Sequence, residues 1–132
     1  MRRRATSVGL GRFFRALADE TRLRLLNLLG SEEICVCYLV EVLATHQPKI
    51  SRHLAYLRRA GIVAGRREGK WMHYRIVEPR DPNVARVLHE VRAWLAEDPG
   101  MQRDRSRLIH LCCSPKVPLR LLAAPRPALV SA

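Results

Sequence analysis

Gln47-Pro48-Lys49-Ile50-Ser51-Arg52-His53-Leu54-Ala55-Tyr56-Leu57-Arg58-Arg59-Ala60-Gly61 runs directly into Ile62-Val63-Ala64-Gly65-Arg66-Arg67-Glu68-Gly69-Lys70-Trp71-Met72-His73-Tyr74-Arg75-Ile76. The period changes between the two stretches. In the first, Ile50, Leu54 and Leu57 return to one side of a helix. Pro48 suits a first helical position, where an amide would have no helical acceptor, and Gly61 closes the element. In the second, Met72, Tyr74 and Ile76 alternate with Trp71, His73 and Arg75, and Glu68-Gly69-Lys70 supplies a turn. A helix followed by a β-hairpin is the expectation.

Upstream, Val36, Leu39, Val40 and Leu43 form an i, i+3, i+4, i+7 stripe that predicts a helix capped by Ser31 and ending near Ala44-Thr45-His46. Before it, Leu23, Leu26 and Leu29 predict a helix from about Glu20 to Leu29, with Asp19 as N-cap and Gly30 as a left-handed C-terminal cap. Leu10, Phe13, Phe14 and Leu17 predict the first helix. Downstream, Asp81-Pro82 starts a helix carrying Val84, Val87, Leu88, Val91, Trp94 and Leu95 and ending before Pro99. A last short helix is expected from about Pro99 to Cys113, with Leu108, Leu111 and Cys112 on one side. Prolines at 115, 118, 125 and 127 point to an irregular tail.

The 132 residues suit one domain with loose ends. The expected class is mainly α with a small β-hairpin, in the order α-α-α-α-β-β-α of a winged helix-turn-helix. The expected divisions are a flexible basic N-terminus at 1–8, the winged domain at 9–98, a C-terminal helix with a cysteine pair at 99–113, and an irregular Pro-rich tail at 114–132.

Lys and Arg number 24 against 12 Asp and Glu, which favours a polyanionic partner. The excess is concentrated: between Gln47 and Arg75 stand eight basic residues and one acidic residue. With Ile50, Leu54 and Leu57 inward, the ~100° step per residue turns Lys49, Ser51, Arg52, Tyr56 and Arg59 outward. Gln47, Lys49, Ser51 and Arg52, near the helix start, have the donors and acceptors that read base edges in a major groove. Arg66, Arg67 and Lys70 on the hairpin are candidate phosphate contacts. His53 and His73 suit structural niches better than base reading. Double-stranded DNA is the expected partner.

No stretch has the ~20 apolar residues of a membrane span, and no apolar segment follows Met1-Arg2-Arg3-Arg4. A cytoplasmic protein is expected. Four cysteines fall in two tight pairs, Cys35 with Cys37 and Cys112 with Cys113, unlike the dispersed framework of a disulfide-stapled secreted domain. Thiolates favour soft, thiophilic ions. Residues i and i+2 of a regular helix point ~200° apart, so ion binding by Cys35 and Cys37 is expected to unwind the start of their helix. Proximity to a helix N-terminus should favour thiolate, against the opposing charges of Glu32 and Glu33. No Cys-x-x-Cys motif, anion-cradling loop or paired general base supports an enzyme.

Ile34-Cys35-Val36-Cys37, Gln47-Pro48-Lys49-Ile50-Ser51-Arg52-His53-Leu54 and Gly69-Lys70-Trp71-Met72-His73-Tyr74-Arg75 closely resemble the arsenic-responsive branch of the ArsR/SmtB repressors, over roughly Phe13 to Val77. The resemblance implies a homodimer joined through its first and late helices, bound to a palindromic operator, and released when arsenite or antimonite is taken by three thiolates. No cofactor beyond that inducer is expected. The chain departs from the commonest arsenic pattern at Val40, where a third cysteine often stands. Cys112 or Cys113, from the same or the partner subunit, is a candidate third ligand, and a separate site for that pair is the other possibility. A cadmium/lead-responsive or thiol-redox-responsive repressor of the same fold is the alternative function.

Overall fold

α1 (Arg2–Leu17) includes in its helical backbone most of the segment expected to be a flexible basic end. The chain is seen here in a computed structural model, which describes residues 2–113 and 118–129, the side chains of 2–8, 113 and 119 excepted. The apolar stripe of α1 divides: Phe13 and Ala16 are buried, whereas Leu10 and Phe14 remain largely exposed. Asp19 then caps α2 (Glu20–Leu28), its carboxylate accepting from the Arg22 amide at 3.0 Å. The predicted left-handed cap at Gly30 does not form. Leu29 leaves the helix in an extended conformation, and the Gly30 carbonyl accepts from the Ile76 amide at 2.8 Å.

That bond belongs to a sheet larger than a hairpin. Ile34–Cys35 is a two-residue strand, β1, so α3 (Val36–Leu43) starts at Val36 with Cys35 as its N-cap, not at a cap on Ser31. α3 ends at Ala44, whose φ of 52° is left-handed. After the tight turn, α4 (Gln47–Arg59) carries Ile50, Leu54 and Leu57 inward, as their spacing predicts. Gly61, at φ 80°, turns the chain into β2 (Val63–Glu68), and Gly69, at φ 60°, turns it back into β3 (Trp71–Ile76). The sheet order is β1-β3-β2, all antiparallel, with Ile34 opposite Tyr74 and Cys35 opposite His73.

α5 (Pro82–Glu97) begins at Asp81, whose side chain accepts from the Asn83 amide. Leu88 and Leu95 enter the core, but Trp94 is 75% exposed, with Val87 and Val91 half-buried near it. α6 (Pro99–Cys113) returns along α2 and is fastened by the two-bond Arg24–Asp104 pair at 2.7 and 3.0 Å and by Asn27 donating to the Met101 carbonyl at 2.9 Å. One core therefore joins the helices: Leu25, Leu26 and Leu29 of the α2 region, Tyr38 and Leu39 of α3, Leu54 and Leu57 of α4, and Leu88 of α5 are all essentially buried.

The C-terminal segment departs from expectation. A 3-10 turn at Leu119–Leu121 docks on α3, where Arg120 grips Glu41 through two bonds of 2.9 Å and Leu121 is buried. The chain then crosses to α6: Arg126 donates to the Cys112 carbonyl at 3.2 Å. The stretch is irregular, but residues 118–129 are packed rather than loose.

Candidate DNA-reading surface and thiol site

α4 presents its polar side outward, with Gln47, Lys49 and Arg52 exposed and Ser51 half-buried. Tyr56 is also half-buried, with the Arg22 guanidinium 4.2 Å and the Arg59 guanidinium 5.6 Å from its ring. Arg22 was not singled out in the sequence, yet it joins three helices. It donates to the Ala16 and Arg15 carbonyls at 2.9 and 2.8 Å and lies 3.3 Å from His53 Nδ1. Burial first, and then the cations Arg22, Lys49 and Arg52 against the opposing Asp19, hold the His53 pKa below its ordinary value. His53 thus fills a polar niche behind α4.

The wing carries Arg66, Arg67 and Lys70, all exposed. Lys70 sits 5.0 Å from the Trp71 ring. Arg66 is engaged within the protein. Its guanidinium bonds Glu33 at 2.8 to 3.0 Å, and that partner holds the Glu33 carboxyl below the ordinary carboxylate range. His73, which simple alternation places on the outer face with Arg75, is buried and bonds Glu68 at 2.9 Å. The reason is β1, which pairs with β3 opposite His73.

Cys35 is the β1 residue opposite His73, and Cys37 lies in the first turn of α3. Because Cys35 has an extended backbone, with φ −65° and ψ 139°, the ~200° divergence of helical i and i+2 positions does not apply. The two sulfurs lie 3.1 Å apart, so no helix has to unwind for both to reach one ion. The expected ease of ionisation is also corrected for Cys35. Burial, followed by the hydrogen bond with Cys37, pushes its thiol up to about 12, outweighing the helix terminus.

Cys112 is buried near the end of α6, and its thiol donates to the Pro127 carbonyl at 3.1 Å. The Cys113 side chain lies outside the described residues. Among the described residues no group of three or more His, Cys, Asp or Glu is assembled for a metal ion. The structure therefore brings together Cys35 and Cys37, but does not bring Cys112 to them as a ready third ligand. Next to Cys37 in α3 stands Tyr38, which sequence reasoning missed. Its hydroxyl is buried without a hydrogen-bond partner, and its pKa is raised by burial first and then by Cys112, with smaller contributions from Cys35 and Cys37 and an opposing one from Arg126. Leaving such a hydroxyl unsatisfied costs about 1–3 kcal/mol. Tyr38 reads as an ordinary core residue in the sequence, and no local signal marks its hydroxyl.

A two-helix turn with a basic outward face, followed by a basic three-stranded wing, defines a winged helix-turn-helix DNA-binding regulator. Residues 19–64 match the family model described as bacterial regulatory protein, arsR family. The chain is 43% identical over 102 residues to the arsenical resistance operon repressor of Escherichia coli, covering 76% of this chain and 86% of that protein. The homodimeric winged helix-turn-helix domain of Mb0332 from Mycobacterium bovis superposes with a TM-score of 0.59 at 31% identity, covering 73% of this chain and 86% of that one. The antimony-specific transcriptional repressor AntR superposes with a TM-score of 0.55 at 34% identity, covering 70% and 82%. The chain belongs to the ArsR family of bacterial regulatory proteins. It is a transcriptional repressor of that family, not an enzyme. No helix among the described residues is long and apolar enough to cross a membrane.

Proposed function

We propose that the chain is a metalloid-released repressor: a homodimer that holds a palindromic operator through two copies of α4 and the wing, and leaves it when trivalent arsenic or antimony binds Cys35 and Cys37. The observation that carries this reading is the 3.1 Å approach of the two thiols, one strand away from the wing. At metal–sulfur bond lengths of about 2.3 Å, two sulfurs on one ion stand roughly 3.3–3.8 Å apart, so ligand entry spreads the pair by only a few tenths of an ångström. The names of the E. coli repressor and of AntR supply the ligand class. Cys112 or Cys113 provides the third thiolate, Cys112 by giving up its bond to Pro127.

In this reading Gln47, Lys49, Ser51 and Arg52 reach base edges, Tyr56 and Arg59 line the same face, and Arg67 and Lys70 follow phosphates. Arg66 joins them when Glu33 releases it. Induction acts through β1: spreading the thiols shifts Ile34–Cys35 against Tyr74 and His73 and so changes the wing's angle to α4. Ligand and operator then oppose each other by linkage. The sulfur-only pair and its close contact also favour a second reading, release by cadmium or lead, or by oxidation of the thiols.

Fluorescence anisotropy on operator DNA, sought upstream of the chain's own gene, tests this. Arsenite is expected to free the wild type but not Cys35→Ser, while Cys112→Ser and Cys113→Ser reveal the third ligand. Release by peroxide or cadmium, with none by arsenite, would replace the first reading by the second.

A further inference from the structure

Tyr38 stands one residue after Cys37 in the first turn of α3, fully buried, and its hydroxyl has no partner. The residue before it, Cys37, meets Cys35 at 3.1 Å. Close enough for charge to act on the phenol are Cys112, held to the Pro127 carbonyl, Arg126, held to the Cys112 carbonyl, and, more weakly, Cys35 and Cys37. A buried tyrosine ordinarily finds a partner for its oxygen, and phenylalanine would fill nearly the same volume without needing one. A hydroxyl kept unpartnered beside a thiol pair has the character of a group whose partner arrives with a ligand.

We propose that the Tyr38 hydroxyl binds the oxygen that trivalent arsenic retains after Cys35 and Cys37 have displaced two of its three hydroxyls. The proposal rests on the thiol-pair reading above. When arsenous acid meets the pair, two As–S bonds form and two As–O bonds break. The two thiol protons leave with the two hydroxyls as water, and arsenic stays trivalent. The remaining As–OH is both donor and acceptor, and a buried phenol meets it in either role. Cys112 or Cys113 completes the site in a second step: the thiol's proton removes the last hydroxyl as a third water and the third As–S bond forms, Cys112 first leaving the Pro127 carbonyl if it is the ligand. Tyr38 is thus a positioning residue for the two-thiol stage, and it selects ligands that carry an oxygen.

The test keeps the chain full length and stops binding at that stage with Cys112→Ala and Cys113→Ala, with and without Tyr38→Phe. Two probes are titrated without DNA and followed by calorimetry and by thiolate–arsenic absorption: arsenite, and trivalent methylarsenite, which keeps a methyl group where arsenite keeps a hydroxyl. Tyr38→Phe is expected to weaken arsenite about tenfold and to leave methylarsenite within about twofold. Equal weakening of both probes would mean that the phenol acts only through packing, and an unchanged arsenite affinity would remove it from the site; either overturns the proposal. If the folded double-alanine protein binds neither arsenical, the thiol-pair reading fails and this inference fails with it.

Discussion

The Cys35 thiol combines a buried setting with the ion-binding role proposed for it, and these pull its chemistry in opposite directions. Burial and the Cys37 hydrogen bond raise it to about 12 from the ordinary 9.0, so the proton is held until a ligand displaces it. Thiolate supply at neutral pH falls about a thousandfold, and the greater nucleophilicity of a more basic thiolate recovers part of that. Alkylation of Cys35 by iodoacetamide at pH 7.5, followed by peptide mass spectrometry, should therefore run about 30- to 1000-fold slower than for an ordinary thiol. Its rate should climb about tenfold per pH unit through pH 9.5. The stability sign follows the same shift. A folded-state pKa above the unfolded value favours the folded chain below pH 9.0, and that contribution is lost as pH rises from 9.0 through about 12. A plateau in alkylation rate near neutral pH would show a thiolate already formed. Under the proposed function, selectivity comes from the ligand: an ion that forms strong bonds to sulfur displaces the proton, whereas weak electrophiles meet a protonated, buried thiol.

Among the elements, β1 links the thiols to the wing, and the Glu33–Arg66 pair lies beside it. Glu33→Gln removes the carboxylate that occupies Arg66 and should strengthen operator binding while steepening its salt dependence by about one counterion. Arg66→Ala in the Glu33→Gln background should undo that gain, and Arg67→Ala should weaken binding with no help from Glu33. Anisotropy titrations across a salt series measure all three, and an unchanged slope for Glu33→Gln would mean that Arg66 never reaches phosphate. This junction was the least legible part of the sequence. The recognition helix and hairpin show themselves because Ile50, Leu54 and Leu57 and the Gly69 turn are local signals. Two residues, Ile34 and Cys35, have no readable period, and their pairing with Tyr74 and His73 is decided some forty residues away. The convergence of the thiols, the burial of His73 and the occupation of Arg66 were hidden with it. The tail was obscure for a similar reason, since Arg120 finds Glu41 across the fold. Leu121→Ala should cost about 2 kcal/mol in denaturant unfolding, at the low end for a buried leucine because the site is peripheral. A loss near zero would mean that the segment contributes nothing to the core.

At the scale of the whole molecule, one protomer leaves apolar surface that its own core does not use. Leu10 and Phe14 on α1 are 46% and 49% exposed, and Trp94 on α5 is 75% exposed beside Val87 and Val91. Two amphipathic helices with uncovered outer faces fit the proposed dimer, and a two-fold dimer is what an operator with half-sites about 34 Å apart requires. A single recognition helix has too few base contacts to hold a specific site against genomic competition, so dimer strength sets operator affinity. Trp94→Glu places a charge in that face without touching Leu88 or Leu95, which carry the inward side. The variant should sediment as a folded monomer at concentrations where the wild type is dimeric, with its helical circular dichroism kept. Its affinity for a full palindrome should fall towards that for a single half-site. Phe14→Glu should act in the same direction, because a two-fold interface repeats each substitution on both sides. A Trp94→Glu protein that stays dimeric and binds the palindrome normally would place the interface elsewhere. A monomer that kept full operator affinity would separate DNA reading from dimerisation altogether.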